Sequence, residues 1–537
     1  MSQPRKLGLR MVPRSLAVGA LLLAFLARPA MAAPRANTSA SDTLVAAMYF
    51  DGKSLDPGRQ FENMGNAAVH AMYDTLVTFA HGSLTTAVPD LATAWKISNA
   101  GTVYTFTLRS GVKFSSGNPL TSADVVWSLK RVQNLQGNPS FLLNNMASVT
   151  APSPSMVRLT LKHADPAIMF ILPNPSLSVL DSKTVIAQGG TDAANAAKTD
   201  KAEPYLNAHS AGSGPYILSA YQPGNSISFA ANPKYWGAAP KLPKVLLLNQ
   251  QAPTEKLTLE KGDTDLGLNL SPDQLSSLKG SSNLSAYSLS SPVMFFLLLN
   301  MSAAVGGPTA NNMVRQAIRD ALDYAGIAQL AGQGSVQPAG IVPVQFLGAL
   351  PLNAAPKQNV AQAKALMAKA TFPNGFTATL EYPSDITVNG QDFGLFAQKV
   401  QSDLAAVGIT IKLAPKPVAV ALPSYRAGKE QIGLWEWGPD YPDPSDYLNF
   451  LPGQLVGLRA NWQAGADAQL GQWMTQASGT ADNAKRVAIY HNIQTRLNAI
   501  GPFIPLFQPA QIVATQKTVT GFHFNAIWQT DFNLIGK

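Results

Sequence analysis

A mixed α/β fold follows from three features of the 537-residue sequence. Short runs that alternate apolar and polar residues take turns with longer runs that place apolar residues at helical spacing. Proline and glycine, 39 and 41 residues, punctuate the connections. Hydrophobic residues make up 46% of the chain and charged ones 13%, which leaves ample apolar surface for large cores. The length suits three or four lobes at roughly 150 residues each. No short-period internal repeat is present, so a solenoid or propeller is not expected.

The elements read in order as follows. Thr43 to Tyr49 is expected as a strand, and a loop from Asp51 to Asn66 carries Ser54-Leu55-Asp56-Pro57. Ala67 to Val77 is expected as a helix. From Val103, Tyr104, Phe106 and Leu108 share one face while Thr105 and Thr107 share the other, the period-two pattern of a half-buried strand. Thr121 and Asp124 form an acidic capping box ahead of Val125, Leu129 and Val132. Asn312 is expected to cap a helix with Val314, Ile318, Ala321, Leu322 and Ala325 inward and Arg315, Arg319, Asp320 and Asp323 on its solvated side. A further helix carries Phe393, Ala397, Val400 and Leu404, stops at Gly408 and passes into the strand Ile409 to Leu413.

The N-terminus carries its own signal. Residues 1–14 are basic, Leu16 to Ala27 is apolar, and Ala30-Met31-Ala32 offers small residues at the positions a signal peptidase reads. Residues 1–32 are therefore expected to be a signal peptide cleaved after Ala32, followed by a disordered leader at 33–42. The apolar run of about 12 residues is too short for a span, which needs roughly 20. Export to the periplasm is expected. The chain has no cysteine, which excludes a lipoprotein anchor, disulfides and thiolate chemistry. Arg5, Lys6, Arg10, Arg14 and Arg28 belong to the leader, so the formal net charge of +9 falls to +4 beyond residue 32. That is too dilute for tracking nucleic acid, and no nucleic-acid partner is expected.

Motifs for catalysis are missing. The six histidines are scattered without an H-E-x-x-H, and there is no G-x-S-x-G elbow and no Walker A loop. Gly212-Ser213-Gly214 begins like a dinucleotide loop, but Pro215 follows. No metal, cofactor or enzymatic activity is expected.

The densest chemistry lies at Leu434-Trp435-Glu436-Trp437-Gly438-Pro439-Asp440-Tyr441-Pro442-Asp443-Pro444. Trp435, Trp437 and Tyr441 can wall off water around Asp440, and loop backbone at Gly438 is free to pair with an extended ligand. A carboxylate so placed suits an ammonium, with a charge-assisted bond worth about 1.5–3 kcal/mol. The same composition also describes a plain turn closed by Asx side chains and proline, and Asp443 reads as structural.

Several segments in a fixed order resemble the extracellular solute-binding proteins of ABC importers, the peptide and nickel type called family 5. They include Ser54-Leu55-Asp56-Pro57, Tyr73-Asp74-Thr75-Leu76-Val77, Leu91 to Trp95, and Tyr104 to Phe114 with Arg109. Gly212 to Tyr216, Asn232-Pro233-Lys234-Tyr235-Trp236-Gly237, Gly262 to Asp265, Val314 to Ile318 and the Asp440 loop follow. The resemblance implies a two-lobed periplasmic binding protein fold (type II) with an inserted subdomain. Lobe I would comprise 43–75, 211–292 and 508–537, the inserted subdomain 76–210, and lobe II 293–507. It implies a monomer that captures di- or oligopeptides and hands them to membrane permease subunits. Asp440 would receive the ligand's α-ammonium, backbone at Trp437 and Gly438 would pair with the peptide, and Phe61, Glu62 and Asn63 would pair from the other lobe. Leu434 stands where some relatives carry an arginine, so Arg426 or Arg459 would have to meet a ligand carboxylate. Arg109 is expected in a framework ion pair. A nickel chelate, opine, sugar or haem is the alternative cargo, and a secreted peptide hydrolase the alternative class.

Overall fold

Three larger β-sheets organise the chain in the computed structural model, which describes residues 42–50, 52 and 54–537. The expected signal peptide and the leader up to residue 41 lie outside the described residues.

The first sheet has seven strands in the order Leu284–Ser290, Ala510–Gln516, Leu266–Leu270, Thr43–Met48, Lys244–Asn249, Ser226–Ala231 and Tyr216–Gln222. Thr43–Met48 lies at its centre, parallel to Lys244–Asn249 and to Leu266–Leu270. Leu44, Ala46, Val245, Leu247 and Phe229 join its main core. A four-stranded antiparallel sheet, Ala92–Ser98, Val103–Leu108, Met156–Leu161 and Met146–Ser153, has its own core around Tyr104, Phe106, Val157 and Leu159. Tyr104 and Phe106 face inward while Thr105 and Thr107 face outward, as the alternation predicts.

The second lobe is built on five strands in the order Ile409–Lys416, Phe376–Pro383, Ile432–Trp437, Met294–Leu299 and Phe503–Phe507. Met294–Leu299 is buried along its whole length because both faces of this sheet are covered. Phe295, Leu297 and Leu299 enter one core, and Met294, Phe296 and Leu298 enter the other. The chain crosses between the two lobe sheets twice, through Ser291–Val293 and through Gln508–Pro509. The crossings are tied together: the Gln508 side-chain amide donates to the Ser291 carbonyl at 3.1 Å.

Local signals hold in part. The Thr121–Asp124 capping box forms and opens the helix Ser122–Leu135. Gly408 takes φ +83° just after the helix Phe393–Ala405, and the strand Ile409–Lys416 begins at the next residue. Several expectations need correction. The first helix spans Asn63–Met72 rather than Ala67 to Val77, because Tyr73 is extended and Val77–Phe79 pairs as a strand with Ala87–Pro89. The cap of the Asn312–Ala321 helix is Asn311, whose side chain accepts from the Met313 N–H at 2.9 Å. Arg315 and Arg319 of that helix are buried, not solvated. Arg315 donates to the carbonyls of Thr309, Ala310 and Ile500, and Arg319 to that of Phe503. Carbonyls at the ends of the helical turn Gly307–Ala310 and the helix Asn483–Ile500, with one from the strand Phe503–Phe507, take up these guanidinium groups, something helical periodicity does not register.

The Leu-Asp-Pro motif owes its place to an ion cluster. Asp56 is buried and receives two bonds from Arg131 of the Ser122–Leu135 helix, at 2.8 and 2.6 Å. Arg131 also binds Asp200 through Nε at 2.8 Å and Nη2 at 2.9 Å. Planar guanidinium geometry lets one residue serve two carboxylates. Arg109, expected in an ion pair, instead donates to the Asp90 backbone carbonyl and lies over the Trp236 ring at 4.3 Å.

Candidate ligand cleft

The loop carrying Asp440 leaves the end of the strand Ile432–Trp437, next to the Ser291–Val293 crossing. Strand alternation sorts its aromatic residues. Trp435 and Trp437 point to the same side, into the core shared with Phe296 and Phe450. Trp435 is fully engaged there: it is buried, stacked on Tyr425 at 4.3 Å, and its indole N–H donates to Glu430 at 2.7 Å. Trp437 sits half-buried at the edge of that core, edge-on to Phe450, and its indole N–H donates to Asp446 Oδ2 at 2.8 Å.

Asp440 lines a cavity of about 130 Å³ between the lobes. Phe61, Asn66 and Gln511 come from the first lobe's side, Asn174 from the segment after the four-stranded sheet, and Asn389, Gly438 and Pro439 from the second. Gly438 is exposed at its rim, and a Cβ there would meet just Val293, at 3.8 Å. Asn174 closes the cleft from one side, its side chain donating to the Asp440 carbonyl at 3.0 Å.

The electrostatics centre on carboxyl groups. Asp446 Oδ2 also accepts the Asp440 backbone N–H at 3.3 Å. Burial, together with the neighbouring Asp446 carboxyl, pushes the Asp440 carboxyl well above the usual range. Burial pushes Asp446 up to about 7, against the opposing pull of the Trp437 indole. Burial likewise pushes Glu436 to about 7, although the Gly438 N–H donates to it. Burial and crowding favour the protonated forms of these carboxyl groups, and a nearby cation would favour their ionisation.

The other sequence-selected residues are distributed unevenly. Phe61 meets Phe141 edge-on at 5.5 Å, and the Glu62 carboxyl accepts the Phe61 N–H at 3.1 Å. Asn63 opens the helix Asn63–Met72, and its side chain is outside the described set. Tyr441 turns away from Asp440 toward a separate cavity of about 690 Å³ lined also by Asn144 and Asp165. Arg459 is buried behind the loop, over Tyr425 at 4.6 Å and Trp437 at 5.6 Å. Arg426 is exposed at the end of the helix Val418–Arg426, away from the cleft. Asp443 is a framework residue: it pairs with buried Arg486 at 2.6 Å and accepts the Ser445 N–H at 2.9 Å. Sequence reasoning missed Asp446, Asn174, Asn389 and Gln511. Asp446 carried one usable signal, its position six residues beyond Asp440 in the same proline-rich loop.

No three-residue group of histidine, aspartate or glutamate among the described residues is arranged to hold a metal ion. Among the same residues, no helix is long and apolar enough to cross a membrane.

Residues 86–455 match the family described as bacterial extracellular solute-binding proteins, family 5 middle. The chain is 27% identical to di/tripeptide-binding protein 2 of Pseudomonas aeruginosa, over 98% of this chain and 99% of that one. Among solved structures, it superposes on a dipeptide-binding protein from Pseudoalteromonas sp. SM9913 in complex with Met-Leu, with a TM-score of 0.79 and 20% identity. That match covers 92% of this chain and all of the other. The periplasmic binding protein DppA from Helicobacter pylori, in complex with the peptide STSA, gives a TM-score of 0.76 at 23% identity, covering 92% and 98% of the two chains. The architecture of two lobes joined by two crossings is thus that of periplasmic binding proteins.

Proposed function

The chain belongs to the bacterial extracellular solute-binding proteins of family 5, and from that premise we propose that it captures short peptides by their free ammonium group and releases them unaltered to a membrane permease. The observation that carries this reading is the Asp440 carboxyl. Asp440 lines the cavity between the lobes, its carboxyl is raised by burial and by Asp446, and no other described lining residue has a charged side chain. A peptide's α-ammonium, with a reference pKa of about 7.7–8.0, is the cation that would relieve this crowding. The peptide ligands named for the similar proteins support the same class of cargo.

In this reading the lobes, at 43–75 with 211–292 and 508–537 on one side and 293–507 on the other, close about the Ser291–Val293 and Gln508–Pro509 crossings. The subdomain at 76–210 moves with the first. Closure is favoured by the ligand's extra contacts in the shut form. Backbone at Gly438, the rim at Trp437, and the Phe61–Asn63 turn opposite would frame the peptide. The working compartment is the periplasm, the protein acts as a monomer, and no bond in the cargo is broken.

Calorimetric titration of wild type and Asp440→Ala with a free dipeptide and its N-acetylated form tests this. Wild type is expected to bind the free form at least tenfold more tightly than the blocked one, about 1.4 kcal/mol. The variant should lose that difference, and mass spectrometry should recover the peptide intact. Equal affinity for both forms in wild type sinks the assignment.

A further inference from the structure

Where the strand Leu266–Leu270 of the first lobe ends, the second lobe touches it with backbone. The contact comes from a two-residue hairpin turn, Asn389 and Gly390, between the paired strands Thr387–Val388 and Gln391–Asp392. Both turn residues have positive φ, +51° and +70°, the combination a type I′ turn demands and Asn-Gly supplies. A Cβ on Gly390 would stand 2.6 Å from Ser271 Cα and 2.8 Å from the Leu270 carbonyl oxygen, so glycine is what lets the two backbones come this close. Asn389 adds a second tie. Its side-chain amide donates to Ser291 Oγ, at the crossing between the lobes, at 2.9 Å.

Both sides of the contact are firmly held. In the second lobe, Val388 packs against the core, and the buried Gln391 side chain donates to the Ala331 carbonyl at 2.9 Å. In the first, the Ser271 N–H donates to the Gln274 side chain at 3.2 Å in a capping box that fixes the seat. Gly332 of the second lobe meets the same segment, where a Cβ would stand 2.6 Å from Pro272 Cβ. Asn389 lines the central cavity, whereas Gly390 lines a separate one of about 110 Å³ shared with Tyr49 and Asn269.

Building on the lobe closure of the peptide-capture reading, we infer that the turn at Asn389 and Gly390 is a closure latch, whose seating on Leu270 and Ser271 holds the shut form and sets how long cargo is retained. Gly390 seats away from the cargo, so the latch lengthens retention without choosing among ligands. Its effect falls on release, because encounter takes place while the lobes are apart.

Stopped-flow and calorimetric measurements on the full chain with Ala-Phe and N-acetyl-Ala-Phe test this. Gly390→Asn keeps a residue that tolerates positive φ and puts a Cβ into the seat. It should speed Ala-Phe release at least about fivefold, leave association within about twofold, and preserve the wild-type ratio of free to acetylated affinity. Asn389→Gly, which retains the turn without the tie to Ser291, should speed release about two- to tenfold. Without ligand, both variants should unfold at the wild-type denaturant midpoint, which separates a latch from a merely structural turn. With saturating Ala-Phe, solution scattering should show Gly390→Asn less compact than wild type. Wild-type release from Gly390→Asn overturns the proposal, as does faster release matched by an equal loss of ligand-free stability. If that variant fails to fold, Asn389→Gly decides on the same two readouts. Failure of the ammonium reading looks different: N-acetyl-Ala-Phe would bind like Ala-Phe while both variants still released faster. Silence of wild type with both compounds overturns both.

Discussion

Asn174 holds Asp440 from across the cleft, its side-chain N–H donating to the Asp440 carbonyl at 3.0 Å. The same side chain accepts the Ser176 N–H at 2.9 Å, which fixes its direction. In the closure proposed above, this bond forms only when the lobes come together.

Asn174→Ala should therefore speed ligand release. One neutral hydrogen bond is worth about 0.5–1.5 kcal/mol, or roughly two- to tenfold in dissociation rate. Stopped-flow displacement of a bound peptide would measure it. An unchanged rate would show that this contact contributes nothing to the closed form.

Asp440→Asn should divide binding from stability. Affinity for a free-amine peptide should fall by about 10- to 150-fold, the loss of a charge-assisted bond of about 1.5–3 kcal/mol. Without ligand, the denaturant midpoint at pH 8 should stay level or rise, because a crowded carboxylate beside Asp446 has been removed. A less stable ligand-free variant would contradict the electrostatic account.

The pH dependence follows from the raised carboxyl groups. Asp446 and Glu436, each pushed to about 7 by burial, bind more protons folded than unfolded between about pH 4 and 7. Their contribution to stability is thus most favourable below the unfolded value and is lost as pH rises through the folded one. Peptide binding should run the other way. Affinity should climb from pH 5 to pH 7.5 and release protons, read as calorimetric enthalpies that differ between buffers of unequal ionisation heat. Equal enthalpies in all buffers at pH 6 would rule out proton displacement.

Arg131→Ala should be severely destabilising, by about 3–5 kcal/mol in denaturant unfolding, since it removes the buried partner that binds both Asp56 and Asp200 and leaves them the partly exposed Arg59. A loss below about 1 kcal/mol would mean water reaches both carboxylates. The effect on ligand affinity measured at low temperature should be smaller than for Asp440→Asn, because the cluster lies outside the cavity lining.

Period-two alternation placed Tyr104, Phe106 and Leu108 correctly, and the Thr121–Asp124 box opened its helix on schedule, because such signals depend on residues a few positions apart. The same reasoning failed for Arg315 and Arg319, whose carbonyl partners include Ile500 and Phe503, nearly two hundred residues away. It also put Trp435 beside the ligand. A full count of the strand Ile432–Trp437 turns that ring, with Trp437, toward a second core that could not be anticipated without knowing both faces of the sheet are covered.

By itself the sequence determined the α/β class, the family and the carboxylate at 440, since ordered motifs and a stiff aromatic loop are written in consecutive residues. Tertiary structure decided what that carboxylate faces. Asn174 meets it from a separate element, Asn389 and Gln511 line the same cavity, and Asp446 crowds it from its own loop; burial and cavity shape arise only when distant parts of the chain share one space.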